Sequence, residues 1–234
     1  MQTIEGDGFT VNVVKSGRRK TMALKVTHKG VSIHIPATLP ITTAKTFVIQ
    51  KTPWIQQKIQ HQHNRPLAIA KMFTDGEHYL YLGAEYPLTT SIDVDAKPKI
   101  NFNGKQFQFS DSTYSPAPKT IRRELLNWYH QQAVAYLQHK TTLFSGLTGL
   151  TPRSITVKNY KARWGSCNSH ADIQYNWKII MAPTDIIDYI VIHELCHIRH
   201  HNHSPAFWQL VKQYYPDYKS ARLWLKKHGY KLEI

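Results

Sequence analysis

The run Ile186–Ile198 restricts what this chain can fold into more than any other segment. Ile186, Ile187, Tyr189, Ile190, Val191, Ile192, Leu195 and Ile198 make it apolar nearly all round, so as a helix it has to be buried. Pro183 and Thr184 supply start signals, and Asp185 and Asp188 suit the positive end of the helix dipole. Yet the same run holds His193, Glu194 and His197. Burying two imidazoles and a carboxylate costs several kcal/mol unless something satisfies them, and a metal ion does so. His193 and His197 are four apart and project from one face of a helix. In a His-Glu-x-x-His arrangement the histidines hold the metal and the glutamate reaches a water on it as general base. The competing reading is an accidental match on a histidine-rich segment.

A catalytic zinc takes a third protein ligand and keeps one position open. His200, His201 and His203 compete for that role. On an unbroken helix His201 would rise ~12 Å past His193, and His200 ~10 Å. Ligand bonds near ~2 Å exclude both from sharing the ion, so the third ligand has to come from chain that has turned back. Asn202 is able to end the helix in a left-handed conformation, and Ser204-Pro205 reads as N-cap and first position of a new helix, Pro205–Tyr215. His203 sits in that turn and is the expected ligand. His200 and His201 are expected to face solvent or to support the ligands. Cys167 and Cys196 are expected as small buried side chains rather than ligands, and Phe207 and Trp208 as core.

The pattern HELCH-x5-HSPAFW, preceded by Arg163–Cys167 (RWGSC) and by Tyr189, resembles the YgjP-like metallopeptidase family, small zincin-like proteins related to the SprT and WLM groups. The leading RRKTMALKV…GVSIHIP segment, Trp54-Ile55 and Tyr81-Leu82-Gly83 are similar to that family as well. The resemblance implies His193, His197 and His203 as zinc ligands and Glu194 as catalytic base. It also implies an α+β fold, a zincin-like metallopeptidase domain with an N-terminal β-rich region. Metzincins share the histidine spacing but place glycine where this chain has His200, and no methionine turn follows. Around the motif, Arg163–Cys167 reads either as the frame of the cleft or as a structural turn bent at Gly165. Strand Asp172–Met181 reads either as the edge that pairs with an extended peptide or as core. Arg163, Tyr214 and Tyr218 are candidate oxyanion stabilisers.

Elsewhere the chain divides into a β-rich part, residues 1–112, and a catalytic part, residues 113–234, joined at the polar, proline-bearing Ser110–Pro118. Phe9–Val14, Met22–Thr27 and Val31–Ile35 read as strands, with a hairpin turn at Lys29–Gly30. A helical pattern from Thr42 or Thr43 to about Gln62 is interrupted by Pro53, which predicts two helices or a kink. Strands are expected again at His78–Leu82, Tyr86–Ile92, Ile100–Phe109 (turning at Asn103–Gly104) and Ser154–Tyr160, and a helix over Lys119–Lys140.

With 30 Lys+Arg against 15 Asp+Glu the net charge is +15, spread along the chain. Such a field attracts polyanions, and weak association with nucleic acid is one expectation. A hydrophobic fraction of 41% excludes a disordered chain, and two cysteines exclude a disulfide framework and suit a reducing compartment. With no apolar run of bilayer length and no signal-peptide pattern, the reading is a cytoplasmic protein with no membrane association. The leading function is a Zn2+-dependent peptidase acting on peptide or protein substrates. Its rivals are a metal-dependent phosphohydrolase of nucleotides, although phosphate-binding loops and magnesium-type carboxylate clusters are missing, and a nucleic-acid-associated protein with minor peptidase activity. The oligomeric state is not legible.

Overall fold

The structure is a computed structural model and describes residues 2–27, 30–63, 71–95, 97–113 and 116–234, with only the backbone of 61–63. It forms two compact units, Met1–Leu67 and Ala68–Ile234, each mixing helix and strand. In the first, β1 (Thr3–Gly6), β2 (Phe9–Ser16), β3 (Ala23–Thr27) and β4 (Gly30–Pro36) make one sheet in the order β1-β2-β4-β3. β2 and β4 run parallel and the outer pairs antiparallel. The alternation in β4 puts Val31, Ile33 and Ile35 on the core face with Val11, Ala44, Val48 and Ile55. Helices α1 (Ile41–Gln50) and α2 (Thr52–His63) are separated at Lys51, since Pro53 has no N–H to continue the ladder. Lys29 of the expected hairpin turn lies outside the described residues.

The second unit opens with β5 (His78–Tyr81), β6 (Ala84–Ile92), β7 (Lys99–Phe102) and β8 (Phe107–Asp111), in the order β5-β6-β8-β7. Its central pair is again parallel, so the topology of the first sheet is repeated without a sequence repeat. Helix α3 (Pro118–Thr148) follows and buries a stripe at every fourth residue: Ile121, Leu125, Tyr129, Ala133, Leu137 and Thr141. It runs past Lys140 until Gly149 takes a left-handed conformation (φ 68°). The division expected after residue 112 falls inside this unit. Phe107 and Phe109 share one core with Leu125, Tyr129, Ile190 and Leu195, and the Tyr129 hydroxyl donates to the Leu80 carbonyl at 2.6 Å. Ser110–Pro118 therefore does not link two cores, since β8 before it and α3 after it pack into the same one.

A second sheet of this unit has the order β10-β11-β9, built from β9 (Ser154–Lys158), β10 (Gly165–Cys167) and β11 (Asp172–Asn176). The expected strand Asp172–Met181 therefore ends early, and Trp177–Met181 is a 3-10 helix. β11 is the middle strand, paired on both sides, so it is no edge for a peptide. Helices α4 (Thr184–Cys196), α5 (Pro205–Tyr214) and α6 (Tyr218–His228) complete the unit, α4 packing against α3, α5, α6 and β10. No helix among the described residues is long and apolar enough to cross a membrane.

Glu77 ties the start of this unit together. Burial alone would raise its carboxyl, but the Tyr79 hydroxyl (2.7 Å), the Met72 and Phe73 N–H groups (3.1 and 2.7 Å) and Lys71 hold it below its ordinary value. A carboxyl depressed in the folded state stabilises above its unfolded value of ~4.3 and loses that contribution as pH falls through the folded one. Urea midpoints should accordingly drop between about pH 5 and pH 3, and less steeply in Glu77→Ala. Equal slopes would contradict this role.

Candidate metal centre

Helix α4 delivers the motif as its spacing dictates. His193 and His197 lie one turn apart near its C-terminal end, their ring centroids 4.8 Å from each other. The helix then tightens rather than turning at Asn202: His197, Ile198 and Arg199 donate to the carbonyls three residues back. Asn202 is not left-handed. Its Oδ1 instead accepts from the Ser204 N–H at 3.2 Å, which bends the chain. Ser204 then caps α5, its hydroxyl accepting from the Phe207 N–H at 3.4 Å, with Pro205 next.

This bend returns His203 to α4. The Nε2 atoms of His193 and His203 are 3.1 Å apart, and one nitrogen from each of His193, His197 and His203 lies within 4.8 Å of the others. Two nitrogens on a tetrahedral ion at ~2.1 Å would be roughly 3.4 Å apart. The tautomers suit an ion too. His197 Nδ1 is 2.9 Å from the His200 carbonyl, which can only accept, so Nδ1 carries the proton and Nε2 keeps its lone pair. Tyr189 OH lies 3.3 Å from His193 Nδ1, and when it accepts the Nδ1 proton Nε2 keeps its lone pair for the centre. Burial, with His197, His203 and Arg222, pushes the His193 imidazole down to about 3. His197 and His203 are lowered as well, chiefly by burial. All three are neutral at pH 7 and able to ligate. Cys167 and Cys196 are free thiols outside this group, and His200 contributes only its carbonyl.

Glu194, the residue after His193, is 4% exposed. Its Oε2 is buried and has no hydrogen-bond partner among the described residues. Burial pushes its carboxyl up to about 8, with Arg163 pulling down. Above it lies β10: a Cβ on Gly165 would come within 2.5 Å of Glu194 Oε1. Buried Asn176 pins that strand's approach, its Nδ2 donating to the Tyr160 and Arg163 carbonyls at 3.0 Å each. Arg163–Cys167 is therefore the rim of the site rather than a remote turn.

Aromatic packing supports the third imidazole. Phe207 is buried and stacks on His197 (4.4 Å), while Trp208, only half buried, stacks on His203 (5.4 Å) instead of entering the core. Tyr218 stacks on Trp208 (5.2 Å). Of the candidate oxyanion groups, Tyr214 is committed elsewhere, donating to the Thr148 carbonyl. Sequence reasoning missed Arg222, whose guanidinium lies 4.3 Å from the Trp208 ring. No motif signals it, because α6 was not assigned and its approach to α4 is a long-range contact.

Neutral imidazoles facing one point beside a dry carboxylate suit metal-dependent hydrolysis, and the class this fold and site define is the metallohydrolase. A sequence model of the YgjP-like metallopeptidase domain matches residues 20–228, and the chain belongs to that family. It is a metallopeptidase of mixed α/β architecture with N-terminal strands. Among solved structures, the metallopeptidase zymogen abylysin of Pyrococcus abyssi is 19% identical over 38% of this chain and 93% of its own, at a TM-score of 0.35. No curated protein matches the chain.

Proposed function

We propose that the protein is a zinc peptidase in which His193, His197 and His203 hold the ion and Glu194 is the general base. The observation that carries this reading is the convergence of three neutral imidazoles beside the partnerless Glu194 Oε2. Three histidines and an open position are a catalytic zinc set, whereas calcium and magnesium call for oxygen ligands. When bound, the ion would supply Lewis acidity, lowering the pKa of a water to about 7 and polarising a carbonyl. Glu194 takes the proton of the attacking water at Oε2 and passes it to the leaving amine. The dry surroundings that raise its pKa also bring that pKa near the working pH, where one group both accepts and donates. β10 offers the edge for an extended peptide: it rests on Glu194 through Gly165, and among the described residues no strand pairs with its outer side. Peptides or proteins are thus the proposed substrates, the basic surface drawing acidic partners, nucleic acid included, only weakly. Two free cysteines, Cys196 buried, support a cytoplasmic setting.

Metal analysis tests the ligand set. Purified protein should carry about one zinc per chain, and His203→Ala should carry none; equal metal in both would remove His203 from it. Tyr189→Phe tests the support of His193. Losing the hydroxyl on Nδ1 should weaken metal affinity by about tenfold in a chelator competition, with the fold intact by circular dichroism. Unchanged affinity would leave Tyr189 as packing alone.

A further inference from the structure

Two guanidinium groups stand close enough to the centre to act on its charges, Arg163 on Glu194 and Arg222 on His193 and His203. Arg163 lies two residues before Gly165, the residue that touches Glu194. Its guanidinium is 4.9 Å from the Tyr160 ring, and the Tyr160 hydroxyl is in turn bonded to Gln174. Arg222 lies 4.3 Å from the Trp208 ring, whose stacking partner is His203. Both arginines are exposed, and among the described residues neither forms an ion pair. An arginine positioned by an aromatic face rather than by a carboxylate keeps the N–H fork at its edge free. That fork matches a carboxylate in a two-bonded geometry. The only described carboxylate at the centre, Glu194, is buried and occupied with its own role.

We infer that Arg163 and Arg222 are specificity-determining residues that select acidic peptides, Arg163 taking a carboxylate on the Glu194 side of the site and Arg222 one on the His203 side. This rests on the peptidase reading for what happens next, but the recognition step stands by itself. It also gives the basic character of the chain a local meaning: the general field brings anions near, and two fixed forks discriminate among them.

The experiment measures binding rather than turnover. Zinc-loaded Glu194→Gln protein is titrated into fluorescent peptides that differ only in Glu or Asp against Gln or Asn. Acidic peptides should bind about tenfold more tightly than their amide twins. Arg163→Gln and Arg222→Gln should each remove part of that gap, and the double variant should bring it within about twofold, while Arg→Lys at either position restores only part. A gap of similar size in the double variant would assign the preference to the overall charge and overturn the inference. Equal binding of acidic and amide peptides to the parent protein would overturn it as well. So would stronger displacement by a short single-stranded oligonucleotide than by the acidic peptide. Turnover of the same peptides by the protein carrying Glu194 is read separately, so that loss of the peptidase reading and loss of this preference remain distinct results.

Discussion

Glu194→Gln should abolish peptide hydrolysis, by at least about a thousandfold, while leaving the zinc content at its normal value. The two halves of that expectation come from different atoms. On the proposed ligand set, metal retention follows because the donor nitrogens are those of His193, His197 and His203, and the amide keeps the shape of the side chain against Gly165. Loss of turnover follows because an amide oxygen cannot take the proton of the attacking water. Stability should stay within about 1 kcal/mol, since the neutral amide avoids the cost of an unpaired buried charge at Oε2. Metal analysis, a thermal melt and a peptide assay on one preparation test all three. Full activity in this variant would sink Glu194 as the base, and loss of zinc would mean that the carboxylate belongs to the ligand set.

Gly165→Ala should be nearly as damaging through a purely steric route. The added methyl would sit 2.5 Å from Glu194 Oε1 and 2.7 Å from its Cδ and Cγ, closer than such carbons ever pack. Either β10 lifts or the carboxylate swings away, and a displacement near 1 Å at a reacting group costs on the order of a hundredfold in rate. Overpacking of this kind also lowers stability by about 1–3 kcal/mol. Gly83→Ala separates the two effects. Its methyl would meet the Pro183 Cα at 2.8 Å in a residue already at φ 87°, so it too should destabilise the fold. It lies in the β5–β6 turn, by Pro183 at the start of α4 and away from the histidines at the end of that helix. Rates per folded molecule should therefore fall for Gly165→Ala and hold for Gly83→Ala. Equal rates would mean that the close approach of β10 does not position Glu194.

Much of this site is legible in the chain because its chemistry is local. Four residues of separation put His193 and His197 on one side of a helix whatever the rest of the protein does, and the apolar run around them fixes that the helix is buried. The turn that brings in His203 is written in Asn202-His203-Ser204-Pro205, although it is an Asn202 side-chain bond and a tightened helix end that make it, not a left-handed residue. The strand at β4 is equally readable from its alternation. The unit boundary was not. A polar, proline-bearing stretch has the same composition whether it joins two cores or crosses the surface of one, and only the burial of Phe107 and Phe109 against α3 and α4 distinguishes them.

The sequence by itself therefore marked the candidate donors, the candidate base and the buried helix that presents His193, Glu194 and His197, since each depends on spacing along a few turns of chain. Tertiary structure decided that β11 is a central strand and β10 the rim, that Gly165 touches Glu194, that Trp208 braces His203, and that Arg222 arrives beside them from α6. Apart from Trp208 on His203, five residues away, those are contacts between segments far apart in the chain. Residue type and periodicity state what a segment buries, but the partner it is buried against is fixed only when all the apolar faces are packed together.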